Sequence, residues 1–426
     1  MFPDVPALSS AVPQLEAAGE PGGVCAAASV LDQLVEGADD AAGAAGWPFF
    51  GQLIGHDITA DRSPVGLHAN IDELRNARSP KLNLEMLYGE GPVGQPYLYQ
   101  VNDPARLLTG PDGWDVPRNS ESVALISDPR NDVHRFINRL HVALLHAHNG
   151  IVARLREDAL TEDDVFDEAR RTLTWHYQWV VVNDYLPRVV DASTLADLLA
   201  RGGRYFAPAV GEAFLPLEFA DAAFRYGHGQ IRHTYRLQAG GPALPLFPDL
   251  MGFGPVPVKH RIDFSEIFDL PGLPPAQRAK RLDGTLAASL IGLPRQITGQ
   301  VSRDAHRSLA VRDLLRGDST SLPSGEAIAA RLQVPPLTAA EVGPGWDDGT
   351  PLWFYILKEA QHRGDGNRLG PVGSCIVAEV LLGLLRADPH SYLSANPRWR
   401  PTLPARGESF VLTDLLLFSD AERNRT

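Results

Sequence analysis

Gln52 and His56 stand four residues apart in the segment Trp47-Pro-Phe-Phe-Gly-Gln-Leu-Ile-Gly-His-Asp57. On a helix, positions i and i+4 lie one above the other on the same face. A carboxamide and an imidazole would therefore share one pocket. Imidazole is the side chain that exchanges a proton near neutral pH, and a carboxamide holds a water or small ligand by hydrogen bonding. The neighbours Trp47, Phe49, Phe50, Leu53 and Ile54 are strongly apolar, and a polar pair among them is costly unless partnered or used. Alone, the pair reads equally as a buried structural histidine with a hydrogen-bonded neighbour.

Other chemistry-bearing residues follow. Arg130, in Ser127-Asp-Pro-Arg-Asn-Asp132, is permanently charged and suited to stabilising developing negative charge. By itself it also reads as a turn residue in a surface ion pair. His228 closes Phe219-Ala-Asp-Ala-Ala-Phe-Arg-Tyr-Gly-His228, where a helix-end histidine and a metal ligand are both open. His141, His146 and His148 lie on or near one helix without the glutamate of a His-Glu-x-x-His zinc frame, so they read as structural.

The elements that must position these residues are helical. Residues 46–57 read as a helix, and 132–156 as a strong amphipathic one through Phe136, Leu140, Ala143, Leu144 and Ala147. Thr161 to Asp164 reads as a capping box for a helix that stops at Pro187. Further helices are expected at 217–232, 275–291, 307–316, 324–332, 351–361 and 371–386. A short one is hinted at by Val30-Leu31 and Leu34-Val35, and residues 60–115 read as loop. With no strand series and no internal repeat, the class is mainly α: one large helical domain with long irregular loops over 46–426, after an N-terminal extension over 1–45.

Composition narrows the classes. Of 426 residues, 44% are hydrophobic and 21% charged, which is ordinary for a globular chain. The formal charge of −13 leaves no cationic surplus for a phosphate backbone, so no nucleic-acid partner is expected. Two cysteines, Cys25 and Cys375, do not make a disulfide framework. No apolar run is long enough for a membrane span. The start Met1-Phe-Pro-Asp-Val-Pro-Ala lacks a basic, apolar leader, which favours a cytoplasmic address and leaves secretion open.

Four segments in register carry a resemblance. They are Gly51-Gln-Leu-Ile-Gly-His-Asp57; Ser127 to Asp132 with Leu140 to Asn149; Phe219 to His228; and Leu309-Ala-Val-Arg-Asp-Leu-Leu-Arg-Gly317 with Ser321-Leu-Pro-Ser324. In this order and spacing the chain resembles the animal-type haem peroxidase superfamily over roughly residues 46–400, and Arg368 to Arg386 fits its bacterial members. The resemblance implies that His56 is the distal histidine, Gln52 the distal glutamine, Arg130 the distal arginine and His228 the axial ligand of haem iron. His56 would take a proton from hydrogen peroxide and pass it to the leaving oxygen. Asp313 falls where the family has an asparagine bonded to the axial histidine, so it and Arg225, near His228, join the candidate cofactor-binding residues.

Departures from the family pattern are informative. Gly55 and Val133 occupy the positions of the ester-forming carboxylates, and His134 that of a methionine. Haem b is therefore expected to bind non-covalently. The family's calcium site maps onto Asp57, Ser79, Lys81 (through its carbonyl), Asn83 and Glu85, so Ca2+ is a further possible cofactor. Fatty-acid dioxygenases of the superfamily carry a tyrosine three residues before the axial histidine. Here Arg225 stands there and Tyr226 is one residue on, about 100° around an α-helix, so Tyr226 is expected to face elsewhere. The expected function is reduction of hydrogen peroxide with oxidation of a small organic reductant. A haem-dependent oxygenase or tailoring enzyme, and a non-enzymatic haem-binding sensor, are the alternatives.

Overall fold

The computed structural model describes residues 1–26, 39–60, 75–158 and 161–425. The expected short helix around Val30 to Val35 lies outside them. Among the described residues ten α-helices of eight residues or more form the body. They are α1 (Val12–Gly19), α2 (Trp47–Ile58), α3 (Arg135–Glu157), α4 (Glu162–Val180) and α5 (Ala192–Arg201). After a long stretch of turns come α6 (Leu309–Ser319), α7 (Gly325–Leu332), α8 (Leu352–Arg363), α9 (Pro371–Ala387) and α10 (Leu412–Arg423). The described strands make only three two-stranded antiparallel ribbons: β1 (Asp40–Ala44) with β6 (Arg278–Lys280), β2 (Tyr99–Gln100) with β3 (Asp103–Leu107), and β4 (Thr234–Arg236) with β5 (Ala243–Pro245). No described helix is long and apolar enough to cross a membrane.

Helix α3 is the central post, packed by α2, α4 and α10. Its residues from Arg135 to Val152 are all buried, so most of its polar groups bond within the protein. Arg139 pairs with Asp420 of α10, Asn138 donates to Asp132 at 2.9 Å, and His146 bonds the carbonyl of Gly113 at 3.0 Å. His148 lies 3.0 Å from the Tyr88 hydroxyl and 2.8 Å from the Ala105 carbonyl. A second group gathers on α9, which α5, α7 and α8 cover. The N-terminal segment is tied to this body: α1 packs on α6, and Glu218 binds the Met1 amino group at 2.9 Å.

Several local expectations are corrected. Residues 217–232 do not form one helix but a turn, Leu217–Ala220, followed by a 3-10 helix, Ala223–Gln230. Residues 275–291 hold β6 and a single turn, Ala288–Ile291, and Gly284 between them has φ +90, a helix-breaking conformation. Thr161 caps α4 in position only: its hydroxyl binds the Asp164 carboxylate at 2.5 Å and no side chain caps the helix. The chain also does not stop at Pro187. It passes through a π-helical turn, Val181–Tyr185, into Leu186–Val189. The loop expected at 60–115 contains β2 and β3, and α1, α5 and α10 were not anticipated.

Candidate functional site

One cavity of about 320 Å3 gathers most of the expected residues. Helix α2 supplies Gln52, Gly55 and His56; the 3-10 turn Pro129–Asp132 and the start of α3 supply Arg130, Val133 and His134; the 3-10 helix 223–230 supplies Phe224, Arg225, Tyr226, Gly227 and His228. The apolar remainder includes Phe219, Ile231, Leu246, Phe247, Leu290 and Leu293, and among the described residues no Asp or Glu lines it.

His228 is held by Asp313 of α6, whose Oδ2 lies 2.6 Å from Nδ1. A carboxylate oxygen accepts, so Nδ1 carries the proton and the Nε2 lone pair is left free in the cavity wall. Asp313 is wholly buried and also accepts from Arg225 at 3.2 Å; Arg225 in turn donates to the Ala220 carbonyl at 2.9 Å. The structure thus brings His228, Asp313 and Arg225 together, and Asp313 is not in a surface pair.

His56 is fixed by a neutral group. Its Nδ1 lies 2.7 Å from Oδ1 of Asn131, whose amide nitrogen reaches the sulfur of Met86 at 3.3 Å and Nδ1 of His141 at 3.0 Å. A thioether only accepts, which orients the amide and makes His56 Nδ1 the donor. His56 therefore presents an unprotonated Nε2. Burial pushes its pKa down to about 4, Arg130 and Arg78 adding to the effect while Asp128 and Asn131 oppose it.

Arg130 lines the cavity yet is largely engaged. Nε and Nη2 bind Asp128 at 3.0 and 2.7 Å, and Nη2 also reaches the carbonyls of His56 at 3.1 Å and Thr59 at 2.5 Å. Its charge lies beside His56. Although burial pushes Asp128 up, Arg130 and Arg78 hold it well below the usual carboxylate range.

Gln52 meets His134, whose Nε2 is 2.9 Å from Oε1. Tyr226 does not face away: it lines the cavity, and its hydroxyl lies 2.8 Å from that of Tyr185. The expectation assumed an α-helix, whereas the segment is 3-10, with a different angular step. Tyr185 comes from the π-helical turn, and a Cβ at Gly51 would stand 2.5 Å from its hydroxyl; only glycine admits that approach.

The residues expected to hold calcium are only partly assembled. Ser79, Asn83 and Glu85 line a second cavity with Arg78. Glu85 binds the Ser79 hydroxyl and Arg78, at 3.2 Å, and Asn83 accepts from the Glu85 amide at 3.2 Å. Lys81 pairs its side chain with Asp388 at 3.7 Å. Asp57 accepts from the Leu84 amide at 3.0 Å, while its Oδ1 is buried without a partner. Burial pushes this carboxyl up to about 7 against the Leu84 and Met86 amides. Among the described residues no group of three or more His, Cys, Asp or Glu is arranged for a metal ion.

Sequence reasoning missed Asn131 as the anchor of His56 and His134 as the partner of Gln52. Asn131 directly follows Arg130, and His134 precedes the first apolar turn of α3, where a cap belongs.

Comparison with known proteins identifies the fold and the family. The chain is 28% identical over 122 residues to heme peroxidase 2 of Caenorhabditis elegans, covering 27% of this chain and 17% of that protein. It is 26% identical over 247 residues to human thyroid peroxidase, covering 51% and 26%. The chain thus spans about a quarter or less of the length of these relatives. Among solved structures, peroxidase A of Dictyostelium discoideum superposes with a TM-score of 0.64 at 15% identity, over 91% of this chain and 86% of that one. A fatty acid alpha-dioxygenase of Oryza sativa gives 0.63 at 15% identity, over 92% and 76%. At such identities the likeness establishes the helical haem peroxidase fold. Residues 67–309, more than half of the sequence, match the animal haem peroxidase family, and the chain belongs to that family of haem-binding oxidoreductases.

Proposed function

We propose that the protein is a peroxidase that reduces hydrogen peroxide and oxidises a small organic donor in the cavity between His56 and His228. The observation that carries this reading is a pair of histidines in one cavity, each with Nδ1 fixed as a donor and Nε2 left as a lone pair. The donor set suits haem: a neutral imidazole whose other nitrogen bonds a carboxylate is the usual state of a metal-bound histidine. His228 would hold the iron, and Asp313 and Arg225 would hold His228. Gly55 and Val133, which line the cavity, carry no carboxylate for an ester, and this supports non-covalent binding. When bound, haem supplies the redox centre that passes oxidising equivalents from peroxide to the donor.

The chain's own groups handle the protons. His56 Nε2 takes a proton from hydrogen peroxide and returns it to the departing oxygen, so water leaves rather than hydroxide. Arg130 stabilises negative charge in transit, and Gln52 offers a hydrogen bond to the entering ligand. A calcium ion beside Asp57 is a further proposal, supported by the oxygen side chains of Ser79, Asn83 and Glu85 at one cavity and opposed by the Glu85–Arg78 ion pair. A melting temperature lowered by chelation would support it.

One observation favours a second reading. The Tyr226–Tyr185 pair in the cavity wall is a candidate redox group of the kind an oxygenase needs. Haem-loaded protein separates the two readings. A peroxidase oxidises a generic phenol on addition of hydrogen peroxide and takes up no oxygen with a long-chain fatty acid alone. Oxygen uptake with the fatty acid and no added peroxide would overturn the peroxidase assignment.

A further inference from the structure

Helix α3 is capped by a histidine. His134 is the N-cap residue, with φ −153 and ψ 165, and its Nδ1 lies 3.3 Å from the Ile137 amide nitrogen. A backbone N–H only donates, so Nδ1 must accept and the ring proton must sit on Nε2. That nitrogen meets Gln52 at 2.9 Å, which makes the Gln52 atom there the carbonyl oxygen. Among the described residues the Gln52 amide nitrogen forms no hydrogen bond, and the side chain lines the cavity. The His134 ring is 4% exposed and is packed by Phe49, Phe136 and Phe247, with centroids 5.2, 6.2 and 6.4 Å away. It has little room to turn.

We propose that His134 is a positioning residue: by accepting from the α3 backbone and donating to Gln52, it fixes the Gln52 carboxamide with its NH2 turned to the cavity, as a hydrogen-bond donor for an entering anion or peroxide oxygen. The proposal rests on the peroxidase reading of the cavity. It completes a division of labour in which His56 Nε2 accepts and Gln52 donates, matching a molecule that carries both a proton and lone pairs. Without His134 the amide is free to rotate about its last torsion and present its oxygen instead, which repels an anion.

Fluoride titration of the ferric haem-loaded protein at pH 7 tests this, because fluoride carries only lone pairs and His56 is unprotonated well above its pKa of about 4. Gln52→Ala is expected to weaken fluoride binding about tenfold, the worth of one hydrogen bond. His134→Phe should weaken it similarly, and the double variant no further, as for two residues on one path. His134→Asn separates positioning from capping, since asparagine is a strong N-cap. It should keep the melting temperature near that of the parent and still lose fluoride affinity. Parental fluoride affinity in His134→Asn with haem bound, or additive losses in the double variant, would overturn the proposal and leave the peroxidase reading standing. Protein that takes up no haem would overturn both.

Discussion

The two histidine-bearing sides of the cavity use the same device with opposite electrostatics. On each side a hydrogen-bond partner fixes Nδ1 as a donor and leaves Nε2 bare. His228 is fixed by a buried carboxylate, Asp313, which also binds Arg225. His56 is fixed by a neutral carboxamide, Asn131, and its pKa is depressed by burial first and by two nearby guanidiniums in addition. A charge-assisted bond is roughly twice as strong as a neutral one. On the proposed peroxidase reading, the His228 side makes its imidazole a strong electron donor, and the His56 side keeps its imidazole neutral and ready to accept a proton. Geometry alone would not distinguish the two; the partner's charge does.

Removing or exchanging the partners breaks that contrast in graded steps. The largest effect is expected from His56→Ala, which deletes the proton acceptor. Stopped-flow reaction with hydrogen peroxide should slow by about 10²–10⁴-fold, at unchanged haem content. Next comes Asn131→Asp, which gives the His56 side a carboxylate anchor. His56 is active when unprotonated, so the peroxide rate should be present above its pKa of about 4 and fall as pH drops through it. A neighbouring carboxylate raises a histidine pKa by roughly one to three units, so the acid limb should move upward by that amount. An unmoved limb in a pH–rate profile would show that Asn131 does not set His56. The smallest change is expected from Asp313→Asn, which gives the His228 side a neutral anchor. The Fe(III)/Fe(II) midpoint should rise by tens of millivolts, on the order of 1 kcal/mol, in a spectroelectrochemical titration with matched haem occupancy.

The contrast was half legible in the sequence. Gln52 and His56 could be placed on one face because α2 is a regular helix, and Asp313 because the family resemblance carried the axial histidine's partner onto its position. Their partners were harder to see. Asn131 and His134 act from a 3-10 turn and a helix cap, where a single backbone angle decides what a side chain meets and periodicity carries no signal. Tyr226 was misplaced because Ala223–Gln230 coil as a 3-10 helix rather than the α-helix its pattern suggested. Residues 278–280 pair with a strand some 240 positions earlier, Asp40 facing Lys280, and no local window contains that information.

The central claim is that His228 Nε2, freed by Asp313, is where haem attaches. Resonance Raman spectroscopy of the ferrous haem-loaded protein measures the iron–histidine stretch directly. The account predicts such a band in the parent, a shift to lower frequency in Asp313→Asn as the ligand loses its carboxylate partner, and loss of the band in His228→Ala. An iron–histidine band that persists in His228→Ala, or one that disappears in His56→Ala instead, would contradict it.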